Sequence, residues 1–242
     1  MACGKRELKG DPAGALRRST RGFEHLERKS TDKDNRANNK ERGWVWMELR
    51  GNKHCVVIID MLNDFIGEKA ALRCENGEKI VPKIQELIEF AHENNIQVVH
   101  VQEAHRKNDR DFRVRPVHAV KGTWGSQFIP ELQPDESKGD YVVQKRRHSA
   151  FSYTDFDLFL REEEIDTVVL TGVWTNVCVR STASDALYHG YNVICISDGT
   201  ASQDDDMHVS GLRDIDIFGD ILTTEEYKEM AKKKFSQDNK VV

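Results

Sequence analysis

The chain has 242 residues and a formal net charge of −5, with 38% hydrophobic and 32% charged residues. No apolar run approaches the ~20 residues that cross a bilayer, which argues against a membrane protein. The net charge gives no general reason to expect a nucleic-acid partner. The five cysteines are an odd number without a C-x-x-C pair. This pattern favours a reducing cytoplasm over a disulfide framework or a zinc ribbon.

Residues 1–46 differ in composition from the rest of the chain. They are rich in charged residues and asparagine, with few apolar residues and no periodicity. Such a segment cannot bury enough surface to offset its ordering entropy, so we predict a disordered N-terminal extension. A basic arm that touches nucleic acid or a partner protein is the alternative. We expect Met47, shortly before the first strand, to be the natural start, and the folded domain to span 47–242.

After the extension, short apolar runs alternate with stretches of helical periodicity. The apolar runs predict strands at 55–60, 96–101, 140–145, 167–171, 191–196 and 220–223. The periodic stretches predict helices at 78–93, 155–164, 205–214 and 225–235, and one that carries Cys178 and ends near residue 189. Repeated strand–helix alternation predicts one α/β domain, a three-layer α-β-α sandwich around a six-stranded parallel sheet of Rossmann-like topology.

Three chemically useful side chains fall at the carboxyl ends of predicted strands, where ligands bind in such sheets. Asp60 ends the first strand, Lys145 ends the third, and Cys178 follows the fourth at the start of a helix. A helix N-terminus lowers a thiol pKa and can bind an oxyanion. Singly, these residues have ordinary explanations as a turn residue, a solvated charge and a core side chain. Together they form a nucleophile, a base and a stabilising charge.

Several motifs carry a resemblance that covers about residues 56–224. They read V-V-I-I-D-M-L-N-D-F at 56–65, P-V-H-A-V-K-G-T-x-G at 116–125, K-x-x-x-S-A-F-x-x-T at 145–154, G-V-x-T-N-V-C-V at 172–179, T-A-S-D-A at 182–186 and G-Y at 190–191. With these motifs the chain resembles the isochorismatase-like cysteine hydrolases, which include nicotinamidases, N-carbamoylsarcosine amidases and ureidoacrylate amidohydrolases.

The resemblance implies a catalytic triad of Asp60, Lys145 and Cys178. It also implies a cis peptide between Val173 and Trp174, and an oxyanion hole made by the N–H groups of Trp174 and Cys178. Isochorismatase itself lacks the cysteine, so Cys178 indicates amide C–N hydrolysis. The implied reaction forms a thioester on Cys178 and releases ammonia from a small amide or carbamoyl compound.

A metal site is implied only for part of the family. Nicotinamidases hold a metal on a D-x-H pair with further histidines, and the matching positions here are Glu103, His105 and His118. A carboxylate and two imidazoles can bind zinc or another divalent ion. The alternative is that these residues line the site without a metal, and the triad itself requires no cofactor.

The substrate pocket departs from the nicotinamidase pattern. Arg115 stands where nicotinamidases place an aromatic residue, whereas Phe65 matches the other wall, and Trp124 or Trp174 can supply a second ring. Other arginines lie near in sequence, at positions 113, 146, 147 and 180. Guanidinium groups bind carboxylates in a bidentate manner, which favours an N-carbamoylsarcosine or ureido-acid substrate. Nicotinamide is the alternative.

Two non-hydrolytic functions remain open from the sequence. The fold can serve as a catalytically silent ligand-binding scaffold, although a binder has no need of all three triad residues. A redox role for Cys178 is also possible, but no resolving cysteine lies close in sequence. By resemblance to the family we expect a homodimer or a homotetramer.

Overall fold

The computed structural model describes residues 49–238. The predictions of a disordered 1–46 extension and of a start at Met47 lie outside this range. Within it, no helix combines the length and the apolarity needed to cross a membrane.

The strands form one fully parallel sheet in the order β3-β2-β1-β4-β5-β6, which confirms the predicted six-stranded parallel sheet. Their bounds are β1 His54–Ile59, β2 Gln97–Glu103, β3 Tyr141–Lys145, β4 Thr167–Val173, β5 Asn192–Ala201 and β6 Asp220–Leu222. The order reverses between β1 and β4, and ligands of such sheets bind beyond the carboxyl ends of the strands at this point.

Residues 49–238 contain six α-helices, of which five lie between strands and the sixth follows β6. They are α1 Asn63–Ile66, α2 Val81–Glu93, α3 Phe156–Glu162, α4 Arg180–His189, α5 Asp205–Ile215 and α6 Thr224–Asp238. The helix predicted at 78–93 begins with a 3-10 turn, Gly77–Ile80, and becomes α-helical only at Val81. Before α6, the side chains of Thr223 and Glu226 cap each other's backbone N–H, as a capping box requires.

Helices cover both faces of the sheet and give the three predicted layers. On one face α2 and α6 pack on the strands through side chains such as Leu87 and Tyr227. On the other face α3 and α4 pack through Leu160 and Ala183. All six residues of β1 are buried, as expected for a central strand covered on both sides.

The carboxyl ends of β1 and β4 approach each other closely. Gly172 has φ +96, and a Cβ there would lie 2.1 Å from the carbonyl oxygen of Ile59, so only glycine fits. Asp60, directly after β1, has φ +55, a left-handed conformation that aspartate adopts more readily than most residues. The Val173–Trp174 peptide is cis, as the resemblance implied.

Candidate active site

The structure brings the three predicted catalytic side chains together. Lys145 Nζ lies 2.7 Å from Asp60 Oδ2 and 3.7 Å from Cys178 Sγ. The side chains of Lys145 and Asp60 are 0% and 1% exposed. A buried ion pair therefore lies directly beside the thiol, at the carboxyl ends of strands β1 and β3.

Backbone contacts fix Asp60 beyond the end of β1. Its N–H donates to the Val101 carbonyl at 3.0 Å, and its Oδ1 accepts from the Glu103 N–H at 3.0 Å. Because Glu103 is paired with Lys145 in the β2–β3 register, the strand that orients the carboxylate also neighbours the strand that supplies the ammonium.

Cys178 lies in a π-helical turn, Thr175–Val179, rather than in the first turn of an α-helix as predicted. The N–H groups of Val177 and Val179 both donate to the carbonyl of Trp174. Helix α5 packs tightly on this turn, because a Cβ at Gly211 would lie 2.7 Å from the Asn176 nitrogen. Widened turns of this kind recur at functional sites.

Burial and the charges of neighbouring groups together set the ionisation of the triad. Burial raises the pKa of Asp60 to about 6, against the opposing charge of Lys145. It also raises the pKa of the Cys178 thiol well above its ordinary value, with Lys145 again opposing. For Lys145 burial acts downward, but the negative charges around it, Asp60 foremost, raise its pKa. The predicted lowering of the thiol pKa is therefore wrong for this arrangement, because desolvation outweighs the nearby positive charge.

The three predicted metal ligands form one buried cluster. Ligand atoms of Glu103, His105 and His118 lie within 4.8 Å of one another. Glu103 Oε1 is 3.0 Å from His105 Nε2, and Oε2 is 3.5 Å from His118 Nε2. Burial opposes ionisation of Glu103, but Lys145 and the two imidazoles hold its pKa well below the usual value.

A polar group lies behind each imidazole, and for His118 it forms a hydrogen bond. His118 Nδ1 donates a hydrogen bond to the Pro116 carbonyl at 2.7 Å, which leaves Nε2 directed at Glu103. His105 Nδ1 lies 3.4 Å from Asp109 Oδ2. Partners of this kind orient the imidazoles of metal sites. Sequence analysis missed Asp109, four residues after His105, because its role depends on how the loop folds back.

A second missed residue, Asp111, lies beside the same cluster. Its Oδ2 is 3.8 Å from His105 Nε2 and 3.9 Å from His118 Nε2. Within residues 49–238, Oδ2 of Asp111 and Nε2 of both histidines are buried without a hydrogen-bond partner. Ligand atoms that converge in this way suit a cation, although Arg115 Nε, 3.3 Å from Asp111 Oδ2, already places one positive charge beside them.

Aromatic rings connect the π-helical turn that carries Cys178 to the cluster of Glu103, His105 and His118. The ring of Phe65 lies 6.0 Å from that of Trp174 and 5.8 Å from that of His118, measured between centroids. Trp124 is half-exposed and packs beside Gly67, next to α1. Its predicted contact with substrate stays a prediction.

Of the predicted arginines, only Arg115 contacts a residue that touches the triad. Arg146 and Arg147 contact Asp109, Arg180 pairs with Asp214, and Arg113 is exposed. Acidic neighbours pair with Arg146, Arg147 and Arg180, and Asp111 pairs with Arg115 as well, so binding of a substrate carboxylate by these arginines stays a prediction.

Arg115 contacts His148, a third site residue that could not be predicted from the sequence. Nη2 of Arg115 lies 2.7 Å from His148 Nε2, and His148 Nδ1 lies 3.8 Å from Cys178 Sγ. His148 occupies an unspecified position between Lys145 and Ser149 of the K-x-x-x-S-A-F-x-x-T motif, so no sequence signal could have identified it.

Comparisons with known proteins agree with this fold. A family model described as the Isochorismatase domain matches residues 54–226. The solved structure of an isochorismatase-like hydrolase from Alkaliphilus metalliredigens is 61% identical, with a TM-score of 0.72 over 74% of this chain and 98% of that one.

Two further relatives carry functional names. N-carbamoylsarcosine amidase from Thermoplasma acidophilum is 34% identical, with a TM-score of 0.65 over 72% of this chain and 98% of that one. A probable inactive nicotinamidase of Arabidopsis thaliana is 32% identical over 183 residues, which are 72% of this chain and 93% of that protein. The relatives thus include more than one substrate class.

Proposed function

The chain belongs to the isochorismatase family and is an amidohydrolase acting on non-peptide C–N bonds, and from this premise we propose that it hydrolyses N-carbamoyl amino acids or ureido acids through a thioester-type intermediate on Cys178, a thiocarbamate for these substrates. The observation that carries the proposal is the buried triad. Lys145 Nζ contacts both Asp60 Oδ2 and Cys178 Sγ, so nucleophile, base and counter-charge share one site.

In the first step, Sγ of Cys178 attacks the carbamoyl carbon and the thiol proton passes to Asp60. The N–H groups of Trp174 and Cys178 stabilise the oxyanion of the tetrahedral intermediate. When the C–N bond breaks, Asp60 gives the proton to the departing nitrogen. Ammonia leaves, and the carbon remains bound to Sγ as a thioester, or as a thiocarbamate when it carries a second nitrogen.

In the second step, water attacks the thioester carbon and Asp60 accepts a proton from that water. The C–S bond breaks, and Sγ recovers the proton as the acid product leaves. A carboxyl group with a pKa of about 6 is well placed to accept and return protons near neutral pH. The Lys145 ammonium compensates the negative charge that moves between carboxylate and sulfur.

Arg115 supports a substrate that carries a carboxylate. Its side chain is 24% exposed, and its Nε lies 3.3 Å from Asp111 Oδ2. Nη2 is engaged by His148, while Nη1 makes no hydrogen bond within residues 49–238. One donor of a partly buried guanidinium therefore remains for a carboxylate oxygen, one side chain away from the nucleophile.

The donor set at Glu103, His105 and His118 fits a divalent metal, zinc in particular. Two imidazoles, of which His118 is hydrogen-bonded from behind, and a carboxylate that stays ionised match the ligands zinc prefers. A bound ion would act as a Lewis acid toward a donor atom of the substrate. The triad steps above do not pass through it.

Nicotinamide is the second candidate substrate, favoured by the wall of Phe65, Trp174 and His118, which suits a flat ring. The silent-scaffold alternative also remains, and it predicts binding without turnover.

The proposal further includes a cytoplasmic location, in keeping with the four free cysteines of the described residues, and assembly into a homodimer or homotetramer.

An ammonia-release screen tests the proposal. It compares N-carbamoylsarcosine, ureidoacrylate, maleamate, biuret, nicotinamide and pyrazinamide, with and without a chelator. We expect the carboxylate-bearing compounds to be turned over fastest, and Arg115→Met to raise KM for them selectively. The matched control is Arg161→Met, because Arg161 forms the same i, i+4 pair with Asp157 on the surface. Preference for nicotinamide, unchanged in Arg115→Met, would contradict the substrate assignment.

A further inference from the structure

Two positions of helix α5 lie against the π-helical turn that carries Cys178. Nδ1 of His208 is 2.8 Å from Oγ1 of Thr175. Gly211 has no side chain, and a Cβ there would lie 2.8 Å from the carbonyl carbon of Thr175. Positions i and i+3 share one face of a helix, so a single face of α5 packs on the start of the turn.

The first turn of α5 fixes where His208 lies. Asp204 is the N-cap, and its carboxylate accepts the Met207 N–H at 2.7 Å. The Asp204 carbonyl accepts the N–H of His208 at 3.1 Å. His208 is therefore anchored through its main chain, while its side chain reaches Thr175.

Thr175 is the residue at which the widened turn closes. Its carbonyl accepts the N–H of Arg180, five residues later, and this bond defines a π-helical turn. Cys178 lies between the two bonded residues. Thr175 is 0% exposed, so its hydroxyl needs a partner within the protein, and His208 supplies one.

The contact between His208 and Thr175 does not depend on which of the two groups donates. A threonine hydroxyl can donate or accept, and a neutral imidazole has one nitrogen of each kind. Burial lowers the pKa of His208, and the charge of Asp205 opposes this. The ring is therefore neutral at pH 7, and either tautomer can form a hydrogen bond with the hydroxyl.

A second side-chain pair holds the next residue of the turn. Ser202, directly after β5, donates to Oδ1 of Asn176 at 2.9 Å, and its Oγ accepts the Asn176 N–H at 3.4 Å. The turn is thus held at Thr175 by α5 and at Asn176 by the end of β5. Because two elements hold adjacent residues, loss of the His208 contact should shift the turn without unfolding it.

We propose that His208 is a positioning residue that, through Thr175, directs the N–H groups of Trp174 and Cys178 at the oxygen of the bound amide. This inference rests on the proposed function, in which these two groups form the oxyanion hole. Trp174 directly precedes Thr175 and Cys178 lies three residues after it, so a shift of Thr175 moves both donors. Such donors stabilise an oxyanion only when they are held in place before the reaction.

Two reactions of Cys178 separate the oxyanion hole from the reactivity of the thiol. With p-nitrophenyl acetate, Sγ bonds to the carbonyl carbon, Asp60 takes the thiol proton, an oxyanion forms, and p-nitrophenolate leaves. With iodoacetamide, Sγ bonds to the methylene carbon and iodide leaves, so no oxyanion forms. Both rates are measured on the full chain, and Cys178→Ala gives the background from other residues.

Substitutions at both ends of the contact test its role. His208→Leu removes the partner of Thr175, whereas His208→Asn keeps a group near Nδ1 that can donate or accept. We expect His208→Leu to slow acylation roughly tenfold and alkylation less than about twofold. His208→Asn should recover most of the acylation rate. Met207→Leu, a half-exposed neighbour on the same helix, should match the wild type.

Thr175→Val removes the hydroxyl from the other end of the contact. It should slow acylation as much as His208→Leu does, and the double variant should lose no more than either single variant. An unchanged ratio of acylation to alkylation in His208→Leu would overturn the inference. An equal fall of both rates would also overturn it, because that result indicates general loosening of the site.

Amide hydrogen exchange gives a second measurement that needs no reaction of the thiol. Exchange in the peptide that spans 174–180 should be roughly tenfold faster in His208→Leu, and much closer to the wild type in His208→Asn. Wild-type exchange in His208→Leu would overturn the inference. Lack of Cys178-dependent acylation in the wild type would count against the proposed function, and the exchange result would still decide the role of His208.

Discussion

The backbone N–H of Glu103 donates to Oδ1 of Asp60 at 3.0 Å, while the Glu103 carboxylate contacts His105 and His118. Glu103, at the end of β2, therefore orients the proposed base with its main chain and completes the proposed metal site with its side chain. Because these are different atoms, side-chain variants can separate metal binding from the orientation of Asp60.

Replacing Glu103 tests the metal cluster. Glu103→Gln removes a charged ligand but keeps the N–H that holds Asp60. We expect zinc affinity to fall by more than the ~10–100-fold that follows loss of an outer partner of a metal ligand. Zinc content after dialysis measures it, with the exposed Glu131→Gln as the control. Equal zinc content in the two variants would rule out Glu103 as a ligand.

Removing Lys145 tests the buried ion pair. Lys145→Met leaves Asp60 buried without its cation, which should cost about 3–5 kcal/mol of unfolding free energy. Adding Asp60→Asn should restore much of this stability. Lys83→Met, which breaks the half-exposed pair with Glu86, should cost under about 1 kcal/mol. Urea unfolding of wild type, Lys145→Met, Asp60→Asn, the double variant and Lys83→Met gives the comparison, and additive losses in the double variant would contradict the coupling.

The close packing of α5 against the nucleophile turn makes Gly211 a sensitive position. Gly211→Ala would place a Cβ 2.7 Å from the Asn176 nitrogen, so the turn or the helix must shift. We expect lower kcat and a loss of stability of about 1–3 kcal/mol. Ser210→Ala, exposed on the same helix, should change neither. Wild-type kcat and stability in Gly211→Ala would show that the contact does not hold the turn.

The pH dependence of thiol reactivity follows from burial. A raised thiol pKa means that Cys178 keeps its proton to higher pH than a free cysteine, so the thiolate appears only as pH rises past that pKa. Alkylation by iodoacetamide should therefore still be increasing above pH ~8.5, the ordinary thiol value. A rate that has already reached its plateau at pH 7 would mean that Lys145 outweighs desolvation.

The parallel sheet and the three triad residues could be predicted from the sequence, because their positions follow from the order of the strands. Alternating strands and helices predict a parallel sheet, and the ends of its strands bring Asp60, Lys145 and Cys178 to one edge. Sequence analysis failed where the outcome depends on loop paths and side-chain pairing. Asp111 reaches the site only because the loop after β2 folds back, His148 lies in the loop after β3, and Arg180 pairs with Asp214. The tertiary contacts that decide these positions leave no local pattern.

The most direct test of the central claim is the mass of Cys178 during turnover. Wild type and Cys178→Ala are mixed with a substrate found in the ammonia screen, quenched within the first turnover, digested and analysed by mass spectrometry. The account predicts a substrate-derived acyl or carbamoyl mass on the peptide that contains Cys178, and no ammonia release by Cys178→Ala. Ammonia release by Cys178→Ala at the wild-type rate would contradict it.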